Sequence, residues 1–119
     1  MSSLILHSTA LLALLLVQDD PVTIRSTRSG VFIYNNSPQT VYYSVFVRQK
    51  NQPAKWEPCD KPSECLKIYA GNATFIPYND IGGYKEGDDL FVVWWNLVRK
   101  PAGENYEAVN LTSRVVGTG

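Results

Sequence analysis

Leu90-Phe91-Val92-Val93-Trp94-Trp95-Asn96-Leu97-Val98 is the stretch whose reading decides the fold. A run with a single polar side chain, drawn largely from β-branched and aromatic types, suits a strand buried on both faces. Strand alternation sets Phe91, Val93, Trp95 and Leu97 on one side. Leu90, Val92, Trp94, Asn96 and Val98 fall on the other. The stretch is read as the central strand of a small β domain.

The chain on either side fits that reading. Downstream, Arg99–Asn105 holds Pro101 and Gly103 and turns the chain. Tyr106–Val116 then returns, with Val109, Leu111, Ser113 and Val115 alternating against Asn110, Thr112, Arg114 and Val116. Upstream, Asn79–Asp89 contains Gly82, Gly83 and Gly87 and reads as a loop. Leu66–Ala70 and Ala73–Pro77 are short strands around Gly71-Asn72. Val31–Asn35 and Thr40–Gln49 are strands separated by the turn cluster Asn36-Ser37-Pro38-Gln39, which predicts an antiparallel hairpin. In Thr40–Gln49, Val41, Tyr43, Val45 and Val47 share a core-like face, and Tyr42, Ser44, Phe46 and Arg48 share the other. Lys50–Leu66 carries prolines, charges and both cysteines without any period, so it is a long connection with Trp56 as its anchor. Six to seven short strands with no helical period outside the leader predict an all-β fold. The expected architecture is a small antiparallel β-sandwich, immunoglobulin-like in the broad sense.

The chain has 119 residues, room for one domain. Its first 17 residues lack Asp, Glu, Lys and Arg, and Leu4–Val17 is apolar apart from His7, Ser8 and Thr9. Such a stretch sits where the hydrophobic region of a signal peptide lies and is short for a membrane span. No basic residue precedes it and no small-x-small site stands before Gln18-Asp19-Asp20-Pro21, so an uncleaved anchor stays open. The expected division is a signal peptide, read as helical, over 1–18, a polar leader over 19–30 and the sandwich over 31–116. Within the leader, Val22-Thr23-Ile24 has the character of a short edge strand.

Cys59 and Cys65 are the two cysteines, and behind an export signal they read as a disulfide. Closing so short a ring adds on the order of 1–2 kcal/mol. Eleven Lys and Arg balance eleven Asp and Glu, with no basic run, which argues against nucleic acid as a partner.

These residues resemble an uncharacterised family of small exported bacterial β domains. The resemblance is carried by Ile33–Ser37 with Val41–Tyr43, and by Trp-x-Pro-Cys at Trp56–Cys59 with the second cysteine at Cys65. It continues in Ile76–Tyr78 with Gly83-Tyr84, and in Val-x-Trp-Trp at Val92–Trp95. The chain departs from that family at Ala70-Gly71, where Pro-Gly is common, and at Asn96, where the family has His. The resemblance implies export, a disulfide and this fold, and implies no activity.

The one histidine, His7, lies in the leader. Histidine-dependent nucleophile systems, histidine acid–base catalysis and nearly all catalytic zinc sites are thereby disfavoured for the domain. No nucleotide-binding or nucleophile-elbow motif occurs. Glu57, Asp60, Glu64, Asp80, Glu86, Asp88, Asp89, Glu104 and Glu107 lie mainly in loops, so a paired-carboxylate glycosidase is the weaker reading against solvated charge. Asn79, Asp80, Glu86, Asp88 and Asp89 lack the ligand spacing of a calcium loop. Sequons at Asn35, Asn72 and Asn110 are short enough to arise by chance. The expectation is a protein without enzymatic activity, metal or cofactor.

Aromatic residues carry the remaining signal. Tyr42, Phe46 and Trp94, with Phe32 or Tyr34 beside them, form a candidate binding face if they share the outward side of a sheet. The competing reading has the 50–66 loop and Trp56 folding over that face as a second small core. The sequence therefore points to a secreted or periplasmic binding or structural module of the cell envelope. Its partner is an unidentified envelope protein met through loops or a sheet edge, or a polysaccharide stacked on the aromatic face. A membrane enters only through an uncleaved leader.

Overall fold

Seven strands build two antiparallel sheets in the computed structural model, which describes residues 20–48, 56–103 and 105–118. The predicted signal helix over 1–18 lies outside the described residues. One sheet has the order β1 (Val22–Ser26), β2 (Gly30–Asn35), β5 (Ala73–Pro77). The other has the order β4 (Lys67–Ile68), β3 (Val41–Val47), β6 (Leu90–Arg99), β7 (Tyr106–Val116). A single 3-10 turn, Tyr78–Asp80, follows β5. The expected all-β sandwich is therefore the architecture, with β6 inside its sheet between β3 and β7.

Alternation explains which side chains meet between the sheets. Val22 and Ile24 of β1, Val31 and Ile33 of β2 and Ile76 of β5 face Val41, Tyr43, Val45 and Val47 of β3, Ile68 of β4 and Leu90, Val92 and Trp94 of β6. Each fully buried aliphatic side chain contributes about 2 kcal/mol by leaving water. Val22 is 1% exposed, so the sandwich already begins inside the stretch read as a polar leader. Gly30 is fixed by packing: a Cβ there would collide with the carbonyl oxygen of Ile76 and the ring of Phe75. At one end, Tyr78 stacks on Tyr84 with centroids 4.6 Å apart. Its hydroxyl donates to the Thr27 carbonyl at 2.7 Å, and Tyr84 donates to Thr118 at 2.8 Å.

The predicted β2–β3 hairpin does not form, because the two strands belong to opposite sheets. The reason is Asn35, the last residue of β2 and 1% exposed. Its Nδ2 donates to the carbonyls of Gln39 at 2.7 Å and Ile68 at 2.9 Å. Its Oδ1 accepts from the Ser37 amide at 3.0 Å and the Ser37 hydroxyl at 2.7 Å. Its backbone N–H donates to Asn72 O and its carbonyl accepts from Gly71 N. A primary amide has two donors and two lone pairs, and all four are used. The turn is thus bent across to the other sheet rather than back along β2.

β7 departs from strict alternation. The register passes from Trp94↔Thr112 to Asn96↔Val109, so β7 holds an extra residue opposite Trp95. Asn110 takes φ 58° there, a conformation Asn tolerates better than most residues. The bulge puts Val109 on the opposite face from Leu111, Ser113 and Val115, which the sequence pattern had grouped together.

Asn35→Ala would strand the Ile68 carbonyl and loosen the crossing. It is expected to lower unfolding free energy by about 3 kcal/mol, while Asn36→Ala has a much smaller effect; urea denaturation checks both. Burial, with a smaller contribution from Tyr84, raises the Tyr78 pKa above its ordinary 10.0. The folded state then holds the phenolic proton more tightly than the unfolded chain. This contribution to stability is intact below about pH 10 and is lost as pH rises through the folded pKa. Denaturation at pH 8 and pH 11 should show a smaller alkaline loss in Tyr78→Phe than in wild type.

Candidate binding surfaces

Residues 56–66 strap the outer face of the four-stranded sheet. Cys59 and Cys65 are disulfide-bonded with Cα atoms 5.7 Å apart, as expected. Between them the Lys61 carbonyl accepts from Glu64 N at 2.8 Å and Cys65 N at 3.1 Å, closing one tight turn. The strap is pinned to the sheet by Trp95, whose indole donates to the Cys59 carbonyl at 3.0 Å. Trp56 meets Trp95 edge-on at 5.4 Å and Phe46 at 5.9 Å. This aromatic cover leaves Trp95 1% and Val93 5% exposed, a second small core outside the main one.

Of the three residues expected on one outward sheet face, Tyr42 and Phe46 point outward and Trp94 does not. Tyr42 lies opposite Trp95, and Tyr43 lies opposite Trp94. Trp94 therefore points between the sheets and is 7% exposed, whereas Tyr42 and Phe46 point outward. A one-residue change of register exchanges the faces of both tryptophans, and neither strand's own sequence fixes that register. Phe46 is half-buried, with Trp56 on one side and Phe91 5.8 Å away. Tyr42 is half-buried, and burial raises its pKa, with smaller contributions from Tyr106 and then Tyr69. A cleft of about 310 Å³ opens between the strap and the β6–β7 connection, lined by Asp60–Glu64, Asn105 and Tyr106.

Phe32 and Tyr34 sit on the other sheet. Their outer face carries Phe32 with Tyr34 at 5.9 Å and Phe75 at 4.6 Å. The Arg25 guanidinium lies 5.3 Å from the Phe32 centroid and donates to the Tyr34 hydroxyl at 3.3 Å. Sequence reasoning left Arg25 and Phe75 out of any site. Their only signal was alternation within β1 and β5, which says nothing about which strand lies beside which.

One side of the sandwich is open. β4 is two residues long and pairs with β3 at Val41 and Tyr42, with one further bond from Tyr43 N to Leu66 O at 3.3 Å. Tyr43 shows that odd-numbered residues of β3 turn their amides toward β4. The Arg48 amide, bonded to Asp89 O at 2.9 Å, shows that even-numbered ones turn toward β6. Val45 and Val47 consequently present amides to an edge with no strand beside it among the described residues. The outer edge of β5 on the opposite sheet is unpaired in the same sense. Between these edges lies a cleft of about 300 Å³ walled by Tyr43, Val45, Leu66, Thr74, Ile76 and Ile81, with Asp80 beside it. Leu66 stands 61% exposed there.

Two of the acidic loop residues have local partners. Asp88 accepts from the Lys85 amide at 2.9 Å, and Asp89 lies 3.9 Å from Arg48. Among the described residues no three His, Cys, Asp or Glu side chains are arranged to hold a metal ion, and no helix is long and apolar enough to cross a membrane. Of the sequon asparagines, Asn35 is buried with its amide fully bonded, whereas Asn72 and Asn110 are exposed. No family model matches the chain, and comparison with curated proteins and with solved structures finds no match either. The functional reading therefore rests on these surfaces and on the sequence.

Hydrogen exchange should resolve the open edge residue by residue. The Val45 and Val47 amides are expected to exchange far faster than those of Ser44 and Phe46, which face β6. Equal protection along β3 would mean that another part of the chain covers this edge.

Proposed function

We propose that the protein is an exported, non-catalytic binding module of the cell envelope that holds a partner protein by strand addition. The observation that carries this reading is the open side, where two sheet edges, unpaired among the described residues, flank an apolar cleft. Backbone amides and carbonyls at an edge are satisfied by an extended peptide, and the cleft between the sheets takes alternate side chains of that peptide. Leu66 and the half-buried Val45 supply apolar contact, and Asp80 favours a basic residue on the incoming strand. Export is supported by the apolar leader and by the disulfide, a bond that persists in oxidising compartments. The non-catalytic reading is supported by a domain without histidine and by Asp60 and Glu64, exposed acids in a polar cleft rather than carboxyls held in an apolar wall.

Val45→Pro tests the reading, because it deletes an amide directed away from β6 and leaves the β3–β6 ladder its donors. The oxidised chain from Gln18 onward serves as bait in native envelope extract, beside Val45→Pro and an Arg25→Ala control. The expected result is a partner retained by wild type and Arg25→Ala and lost from Val45→Pro, with Val45 and Val47 amides protected in the complex. Equal capture by all three proteins would remove the open side from the function.

A further inference from the structure

The cleft between the disulfide strap and the β6–β7 connection combines features absent from the open side. Its walls are polar side chains, Asp60, Ser63, Glu64 and Asn105, set beside the ring of Tyr106. All four polar residues are exposed, so their donors and acceptors face water, and the half-buried Tyr106 lines the cleft beside them.

The wall opposite Tyr106 is held rigidly. The Cys59–Cys65 bond closes the strap, the Lys61 carbonyl receives two amides within it, and the Lys67 ammonium donates to the Pro62 carbonyl. Trp95 ties the strap to β6 from below. A surface loop so restrained loses little entropy when a ligand arrives, which is the condition for a shallow polar site to bind at all.

We infer that this cleft is a binding site for a neutral saccharide, separate from the open side and independent of the reading given to it. Pyranose rings offer an apolar C–H face that packs on an aromatic ring, and hydroxyls that both donate and accept. Carboxylates accept from such hydroxyls, whereas an amide and a serine hydroxyl both donate and accept. The charge disfavours an anionic ligand. Among the described residues that line the cleft, Lys61 is the cation beside Asp60 and Glu64, and it lies 3.9 Å from Glu64. The residual charge is negative and disfavours uronates and phosphates. The volume, about 310 Å³, is at the small end for ligand sites and suits a mono- or disaccharide unit of a longer chain.

The test is an amide-resolved NMR titration of the oxidised chain with cellotriose, maltotriose, mannotriose and N,N′,N″-triacetylchitotriose, with digalacturonate as the acidic comparison. The expected result is millimolar or tighter binding of at least one neutral trisaccharide, with shifts confined to residues 60–64, 105, 106 and their neighbours. Tyr106→Ala should weaken that binding about tenfold, and digalacturonate should bind less well than the neutral sugar. Asn105→Ala, an exposed position, gives a second reading should Tyr106→Ala perturb β7. No neutral trisaccharide binding at millimolar concentration, shifts that map elsewhere, or full affinity in both variants would overturn the inference. Since Val45 and Val47 are not in this cleft, their protection in the partner experiment is unaffected by either outcome.

Discussion

One carboxamide sets the topology. A chain leaving a strand at the edge of the core must either turn back along that strand or cross to the opposite sheet. Crossing leaves several backbone groups at the corner without ladder partners. Asn35 resolves this by bonding the connection it begins through Ser37 and Gln39, and the far sheet through Ile68. Its own backbone meanwhile locks to the Gly71-Asn72 turn that leads from β4 to β5. The connection, the end of β4 and the turn before β5 therefore converge on a single buried residue, and the two sheets acquire their relative position there. Partly satisfied, such a network is more costly than an apolar corner. Fully satisfied, it specifies one crossing.

The second organising constraint is that β6 is apolar on both faces. Its inner face is covered by the opposite sheet. Its outer face has no second sheet to cover it, and the strap serves in that place. This explains why the disulfide stands where it does. A segment interrupted by Pro58 and Pro62 and without a strand pattern is held flat over Trp95 by a covalent closure and an indole hydrogen bond. The strap thereby has two sides with different roles. Trp56 faces inward as cover, and the turn at Lys61–Glu64 faces outward beside Tyr106.

Much of the architecture was legible because it is written in short-range patterns. The doubly apolar run at β6, the core face of β3 and the cysteine pair all announce themselves within a few residues. Pairing was not legible. The Asn36–Gln39 cluster has the composition of a hairpin turn, and only Ile68, more than thirty residues on, reveals that Asn35 is committed elsewhere. Trp94 and Trp95 are equivalent to any local reading, so the candidate face depended on a register set by a neighbouring strand. The bulge at Asn110 likewise reassigns Val109 without any proline or glycine to mark it. The outward setting of Tyr42 and Phe46 was found by alternation. The place of Asn105 and Tyr106 in the proposed site was not, because the site forms where the strap meets a loop remote in sequence.

The buried state of Asn35 bears on how the chain can be made. Oligosaccharyltransferases act on asparagine in unfolded, newly translocated chain, before tertiary structure protects it. Asn35-Asn36-Ser37 presents such an acceptor, yet the folded protein uses both hydrogens of that same amide internally. A sugar attached to Nδ2 would remove one of those donors and require space that a residue 1% exposed does not have. Modification and folding are thus mutually exclusive at this residue, although Asn72 and Asn110 carry exposed side chains. A eukaryotic secretory host would divide its product between folded molecules and chains diverted by their own first sequon. The fold itself requires that this asparagine reach the corner unaltered.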